Sequence, residues 1–337
     1  MDAPNTYSRI NVKSVNYTQA NVNQINSIQN WDGKIFSMGL GNLTNSRKAG
    51  VVSFYLCKFL PPRLGYRLAD AIACRLASNS QLPMVQGIRL NQWGVSHCSL
   101  TQDELTQSVL AVMRNITRAF YEQFYYMHRP ERLRSKIVEN EILREIFSWD
   151  KAGRGGLLIC GLHMCSFDLV YQAITQMGLK TIGLTLPLET EAIAWQHQLR
   201  RKVGGEIIPA TMSNLKQVIR RLQAGEIVVT GIDRPMEDLK YRPRFFDRPA
   251  QLPVHYVQIA LAAKVPILLM ASFRQPDGRY ELVSSDFITL HNQPDRRSEL
   301  MENAERILEL AENIILNAPE QWTMFHPIWP ELATSLA

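Results

Sequence analysis

From about residue 137 onward, short apolar runs alternate with segments of helical period, and this alternation restricts the possible folds more than any other feature of the chain. The runs at 157–160, 181–185, 206–208, 227–231, 266–272 and 279–284 are too short for core helices and read as buried strands. Between and around them, 139–149, 167–177, 190–203, 213–223, 251–263 and 298–316 repeat their apolar residues at helical spacing. The order predicts an α/β fold: a mostly parallel central sheet flanked by helices, with an α-helical region before it. No internal repeat or linker interrupts it.

The first strand-to-helix junction carries the most chemistry. Gly155-Gly156 precede Leu157 to Cys160; Gly161 follows, then His163 and, five positions on, Asp168. In open α/β sheets, ligands bind where strands hand over to helices. Residues five apart in a regular helix lie about 140° apart around the axis. His163 and Asp168 therefore meet only if the histidine sits in the turn before the helix. A carboxylate on one imidazole nitrogen fixes the tautomer and makes the other a better base. The same spacing also fits a polar pair with no chemical role.

The run 227–231 ends in Gly231-Ile232-Asp233-Arg234, which again places charged groups at a strand end. It reads either as part of the same site or as an Asp–Arg pair holding a loop. Arg200, Arg201 and Lys202 close a helix, where cations favour the helix dipole and can also hold an anion. The loop 241–250 sets Arg242, Arg244 and Arg248 around Phe245 and Phe246. Apolar tips between cations suit contact with anionic lipid or with the phosphates of a thioester cofactor.

The chain before this core divides in two. Residues 1–46 are rich in Asn, Gln, Ser and Thr and read as a mobile polar leader or as an irregular arm packed on the body. Residues 47–136 read as helical, and 137–330 as the α/β core, with 47–330 expected to form one domain. Within 49–77, Pro61-Pro62 breaks and restarts a helix whose apolar residues are interspersed with Arg and Lys. That pattern fits a membrane-surface contact, and equally an amphipathic helix covering a core. Thr101 and Glu104 form a capping signal. The aromatic run Phe120, Tyr121, Phe124, Tyr125, Tyr126 reads as core, or as an acyl-chain groove.

Several function classes are excluded. No GxGxxG, GxxxxGK[ST] or GxSxG is present, so dinucleotide, nucleoside triphosphate and serine-hydrolase chemistry have no motif. The formal charge of +6 is modest and no nucleic-acid-binding motif accompanies it, so no nucleic-acid partner is expected. Five scattered cysteines show no metal-type spacing and point to a reducing compartment with no metal site. No run approaches eighteen apolar residues, so no spanning helix is expected, and the protein is expected to be soluble or to lie on a membrane surface.

In order, the chain shows GGLLICGLH leading into His163-x4-Asp168, Arg200 four before Gly204, Gly231-Ile-Asp233, Phe245-Phe246-x-x-Pro249-Ala250, VQIALAAKVPIL, Asp277-Gly-Arg-Tyr280 and Pro319-Glu-Gln-Trp-Thr-Met-Phe-His326. This ordered set resembles the bacterial lipid A biosynthesis (lauroyl/myristoyl) acyltransferases, a family that includes phosphatidylinositol mannoside acyltransferases. The resemblance covers roughly 50–330. It implies transfer of a fatty acyl chain from acyl carrier protein or acyl-CoA to a hydroxyl of a membrane glycolipid, with no permanently bound cofactor. The enzyme would sit peripherally at the cytoplasmic face of the inner or plasma membrane.

His163 would be the general base and Asp168 its orienting partner, with Arg200 and Asp233 near the site. A lysophospholipid or glycerolphosphate acyltransferase, or a non-catalytic lipid-binding relative, is the alternative. The chain departs from the family pattern H-x-G-N-W-E/D, with Cys165-Ser166 where the pattern has Gly-Asn. It also has Asp247 where the loop commonly reads Phe-Phe-Gly.

Overall fold

The computed structural model of the chain describes residues 55–185, 191–202, 204–236 and 239–336. The expected leader over 1–46, and the start of the helical stretch from 49, lie outside these residues.

The architecture is α/β, with a mostly parallel six-stranded sheet. The strands are β1 (Leu157–Gly161), β2 (Thr181–Thr185), β3 (Glu206–Pro209), β4 (Ile227–Gly231), β7 (Ile267–Arg274) and β8 (Tyr280–Ser284). Their order is β3-β2-β4-β1-β7-β8, and only the β7–β8 pair is antiparallel. Alternate residues of β1 enter different layers: Leu158 and Cys160 join one core cluster, Leu157 and Ile159 another. A strand buried on both faces must be apolar at every position, so it shows no alternation in sequence. Each fully buried aliphatic side chain here contributes about 1.5–3 kcal/mol relative to exposure.

Helices α8 (Met212–Gln223), α9 (His255–Ala263) and α10 (Arg296–Leu316) supply Val218, Leu222, Tyr256, Ile259, Ile307 and Leu308 to the first cluster. Helices α5 (Glu141–Lys151) and α6 (Phe167–Gln176) cover the other face through Leu143, Ile146, Leu169 and Ile174. The remaining core helix, α7 (Glu191–Lys202), leads into β3. The expected helix over 251–263 begins only at His255, because residues 251–254, with Pro253 among them, carry no regular structure.

The N-terminal helices are α1 (Pro62–Ala77), α2 (Pro83–Val95), α3 (Gln102–Tyr126) and the short α4 (Pro130–Arg134). Residues 55–59 are helical, Pro61 is extended at φ −60° and ψ 149°, and α1 restarts at Pro62, as the double proline predicts. Thr101 and Glu104 form a reciprocal capping box at α3. Ala73, Val85, Ile88, Val109, Val112, Met113 and Ile116 pack as a separate small core.

The C-terminal segment returns to this region. Asn91, fully buried on α2, donates to the carbonyls of Met324 (2.9 Å) and His326 (2.8 Å) and accepts from Ile328 N (2.9 Å). Gln92 and Asn115 hold the carbonyls of Pro319 and Glu320. These side chains tie residues 319–328 across the strand ends, where the candidate site lies.

Candidate active site

In the parallel pair β1–β4, Gly161 stands opposite Gly231. His163 and Asp233 each follow these paired glycines by two residues, so the register brings them to the same point of the sheet edge. His163 Nδ1 lies 2.5 Å from Asp233 Oδ1. The backbone N–H of His163 donates to Asp233 Oδ2 at 2.8 Å. Trp322 Nε1 donates to the same oxygen, also at 2.8 Å. Asp233 is fully buried. Burial raises its pKa, but the charge and hydrogen bonds of His163 and the Trp322 donor outweigh that and hold the carboxyl below its usual range.

The ring of His163 is packed on two sides. Phe167 meets it edge-on at a centroid distance of 4.6 Å. Gly231 lies under it, and a Cβ there would stand 3.0 Å from His163 Cε1. The side chain keeps 21% exposure, and no hydrogen bond engages Nε2 among the described residues. A proton on Nδ1 directed at the carboxylate leaves the ring's lone pair on Nε2.

Asp168 does not contact His163. It sits in the first turn of α6, where a carboxylate favours the helix dipole, and pairs with Arg200 from the last turn of α7. The carboxylate in contact with His163 is Asp233 and not the expected Asp168, because the chain bend after His163 turns the ring toward β4. The spacing of the motif leaves Asp168 on the α7 side. Both members of the Asp168–Arg200 pair are mostly buried, at 20% and 16% exposure.

The loop at 241–250 also differs from expectation. Phe245 and Phe246 are buried and pack on Trp322 and Trp329, so they are core residues and not lipid-facing tips. They belong to a hairpin, β5 (Arg244–Phe245) with β6 (Arg248–Pro249), whose two turn residues Phe246 and Asp247 have φ of 51° and 59°. Two consecutive positive φ values are the signature of a type I′ turn, which favours Asn or Asp with Gly. Glu305 and Glu312 of α10 accept the backbone N–H groups of Arg244 and Phe246 and clamp the turn. Arg242 and Arg244 are exposed, and Arg248 donates to Cys98 Sγ at 3.3 Å. Arg234 is half-buried beside Asp233, and burial lowers its pKa.

The aromatic run of α3 is core: Tyr121, Phe124, Tyr125 and Tyr126 are buried, and only Phe120 is exposed. It encloses a residue that periodicity did not single out. Glu122, fully buried, accepts from Tyr66 Oη at 2.5 Å and from Tyr280 Oη, with Arg274 Nε 3.7 Å away. Tyr280 Oη also lies 3.0 Å from the hydroxyl of Ser166. Ser166 is the N-cap residue of α6, yet its hydroxyl serves Tyr280 and caps nothing. The signal available was an acidic residue amid five aromatics.

Two more residues of the site lay in the C-terminal motif but had no role assigned. Trp322 is the indole donor to Asp233. His326 is driven down to about 3 by burial first, then by the charges of Arg234 and His163, so it stays neutral near this group. All five cysteines are free, and among the described residues no cluster of His, Cys, Asp or Glu could hold a metal ion.

The sequence model of the bacterial lipid A biosynthesis acyltransferase family matches residues 99–331, more than half of the chain. The chain belongs to this family. No individual curated protein matches it. Membership makes it a lipid A-type acyltransferase in the general sense, with a lipid acceptor and an acyl donor. The matched span of the acyltransferase contains the His163–Asp233 pair, the Asp168–Arg200 pair and the C-terminal segment.

One departure from the expected motif has a physical consequence in this acyltransferase. Cys165 has a φ of 49°, in the left-handed region where glycine carries no penalty and an L side chain costs about 1–2 kcal/mol. Its side chain is buried under α6 with the second core cluster, and burial pushes its thiol up to about 12, with Glu122 adding to the rise. Its N–H donates to Gln321 O at 2.6 Å, so the strained residue is held by the C-terminal segment.

Proposed function

We propose that the protein transfers a fatty acyl chain from an acyl carrier protein or acyl-CoA thioester to a hydroxyl of a membrane glycolipid. The reading rests on one observation: His163 Nδ1 is held by the buried carboxylate of Asp233, and no hydrogen bond engages Nε2 among the described residues. In this scheme Nε2 removes the proton of the acceptor hydroxyl as its oxygen attacks the thioester carbonyl carbon. Asp233 stabilises the imidazolium that forms. The tetrahedral intermediate collapses with cleavage of the C–S bond, and the imidazolium returns its proton to the leaving thiolate. No acyl-enzyme is required, since the thioester is already activated. The Asp168–Arg200 pair ties α6, which follows the histidine, to α7.

Association with a membrane surface is supported by the exposed side of α1. Leu64, Leu68 and Ile72 recur at four-residue spacing with 40–51% exposure, and Phe59 before them is 72% exposed. Arg63, Arg67 and Arg75 are exposed on the same helix. Apolar side chains interspersed with cations fit an anionic bilayer surface, to which each cation near the headgroups contributes about 1 kcal/mol. No helix among the described residues is long and apolar enough to cross a membrane.

The test is incubation of the protein with radiolabelled acyl-CoA or acyl carrier protein thioester and a membrane lipid extract, followed by chromatography. Label moving into a glycolipid band supports the reading. Label in a lysophospholipid or glycerolphosphate product would replace the proposed acceptor. No labelled lipid with either donor would overturn the reading.

A further inference from the structure

We propose that Trp322 is a positioning residue of this acyltransferase: its indole N–H fixes which oxygen of Asp233 faces His163, and thereby sets the basicity of the histidine. The proposal rests on the reading of His163 as the base. Asp233 has two oxygens and three donors. Oδ2 takes the His163 backbone N–H and Trp322 Nε1, each at 2.8 Å, and Oδ1 is left to His163 Nδ1 alone, at 2.5 Å. The carboxylate has no exposure, so no solvent can replace a missing donor.

The same short segment also fixes the histidine. Met164 and Trp322 form an antiparallel bridge. Thr323 donates through both its N–H and its hydroxyl to His163 O, each at 2.8 Å. Residues 321–323 thus hold the backbone of the base and the side chain of its partner together, although they lie about 160 positions away in sequence. Trp322 is itself fully buried against Phe245. A buried indole needs an acceptor somewhere. Here the acceptor is the carboxylate that orients the base, and that makes the bond more than satisfaction of the indole.

Other titratable groups lie near the pair: His326 of the C-terminal segment, held neutral, feels the charges of His163 and of Arg234 from the loop after β4, and Asp168 pairs with Arg200 between α6 and α7. Trp322→Phe leaves all of these in place and removes one donor from Asp233. The carboxylate then carries more uncompensated charge and holds the imidazolium more tightly. Its effect on His163 is an upward shift in pKa of about half a unit to one unit, since only part of a charged hydrogen bond is passed on.

Two readouts separate this from a merely structural role. The first is NMR titration of ring-labelled histidine in wild type and Trp322→Phe without substrate, with the His163 resonance assigned from His163→Gln. The second is the acid limb of kcat/KM for acyl transfer, which moves up by the same amount. Should the phenylalanine variant fail to fold, site-specific incorporation of benzothienylalanine keeps the bicyclic shape and removes only the N–H. An upward shift in the titration of a folded variant supports the proposal. A His163 titration unchanged within about 0.2 unit overturns it. The NMR readout needs no substrate, so absence of acyl transfer would count against the catalytic reading while leaving the positioning result to stand or fall separately.

Discussion

Replacing Asp233 by asparagine removes one charge from a fully buried position and reverses one hydrogen bond. The carboxylate accepts from three donors, and an amide has only one acceptor oxygen. The amide oxygen satisfies most by staying with His163 N and Trp322 Nε1, which turns its NH2 toward His163 Nδ1. That nitrogen must then accept, and the ring proton moves to Nε2, the atom proposed as the base. Loss of the base tautomer and of the counter-charge for the imidazolium predicts a fall in kcat of about 10³–10⁴-fold, or roughly 4–5.5 kcal/mol of transition-state stabilisation.

Stability changes less. One charge-assisted hydrogen bond worth about 2 kcal/mol is lost, and relief from burying a charge offsets part of it. Initial rates of label transfer, with circular dichroism to confirm folding, check the prediction. Asp168→Asn is the companion, since it breaks only the contact with Arg200 and predicts an unchanged acid limb for its residual activity. A folded Asp233→Asn protein within tenfold of wild type would refute the assignment of Asp233 as the partner of the base.

Other substitutions report on the surrounding structure. Glu122→Gln weakens the bonds to Tyr66 and Tyr280 and takes the counter-charge from Arg274, predicting about 2 kcal/mol lower stability and a Tm lower by several degrees in thermal unfolding. His326 is held near 3 against an ordinary 6.5, so the unfolded chain takes up its proton first and stability is lost as pH falls below about 6.5. Denaturant titrations should show wild type losing about 1–2 kcal/mol more than His326→Gln between pH 7 and pH 5; equal losses would contradict this. Phe59→Asp with Leu68→Glu should abolish sedimentation with anionic vesicles at low salt, and wild-type binding should weaken as salt rises. Binding that ignores both changes would place the membrane contact elsewhere.

The sheet was legible because its strands are buried on both faces. Leu157 to Cys160 and Ile227 to Thr230 have no solvent side to interrupt the apolar run, and glycines bound them. Helix ends were legible where local chemistry decides them, as at Pro62 and Thr101. The partner of His163 was not. Spacing along one segment favoured Asp168, whereas the contact depends on the register Gly161–Gly231, which is a property of two strands 70 residues apart. Phe245 and Phe246 were misplaced for a similar reason: the cations beside them are visible in sequence, but the Trp322 and Trp329 rings that bury them arrive from the C-terminus. Glu122 was hidden because a helix buried on all sides near its end has no polar face for comparison. What sequence did carry was the segment order through His326, which the family match over 99–331 supports.

The central claim is that His163 takes a proton from a lipid hydroxyl during acyl transfer. The most direct measurement is the initial rate of label transfer from acyl thioester to lipid extract by wild type and His163→Ala at equal protein concentration. The account predicts labelled lipid with wild type and a rate at least about 10³-fold lower with the variant. Equal rates from two folded proteins would contradict it.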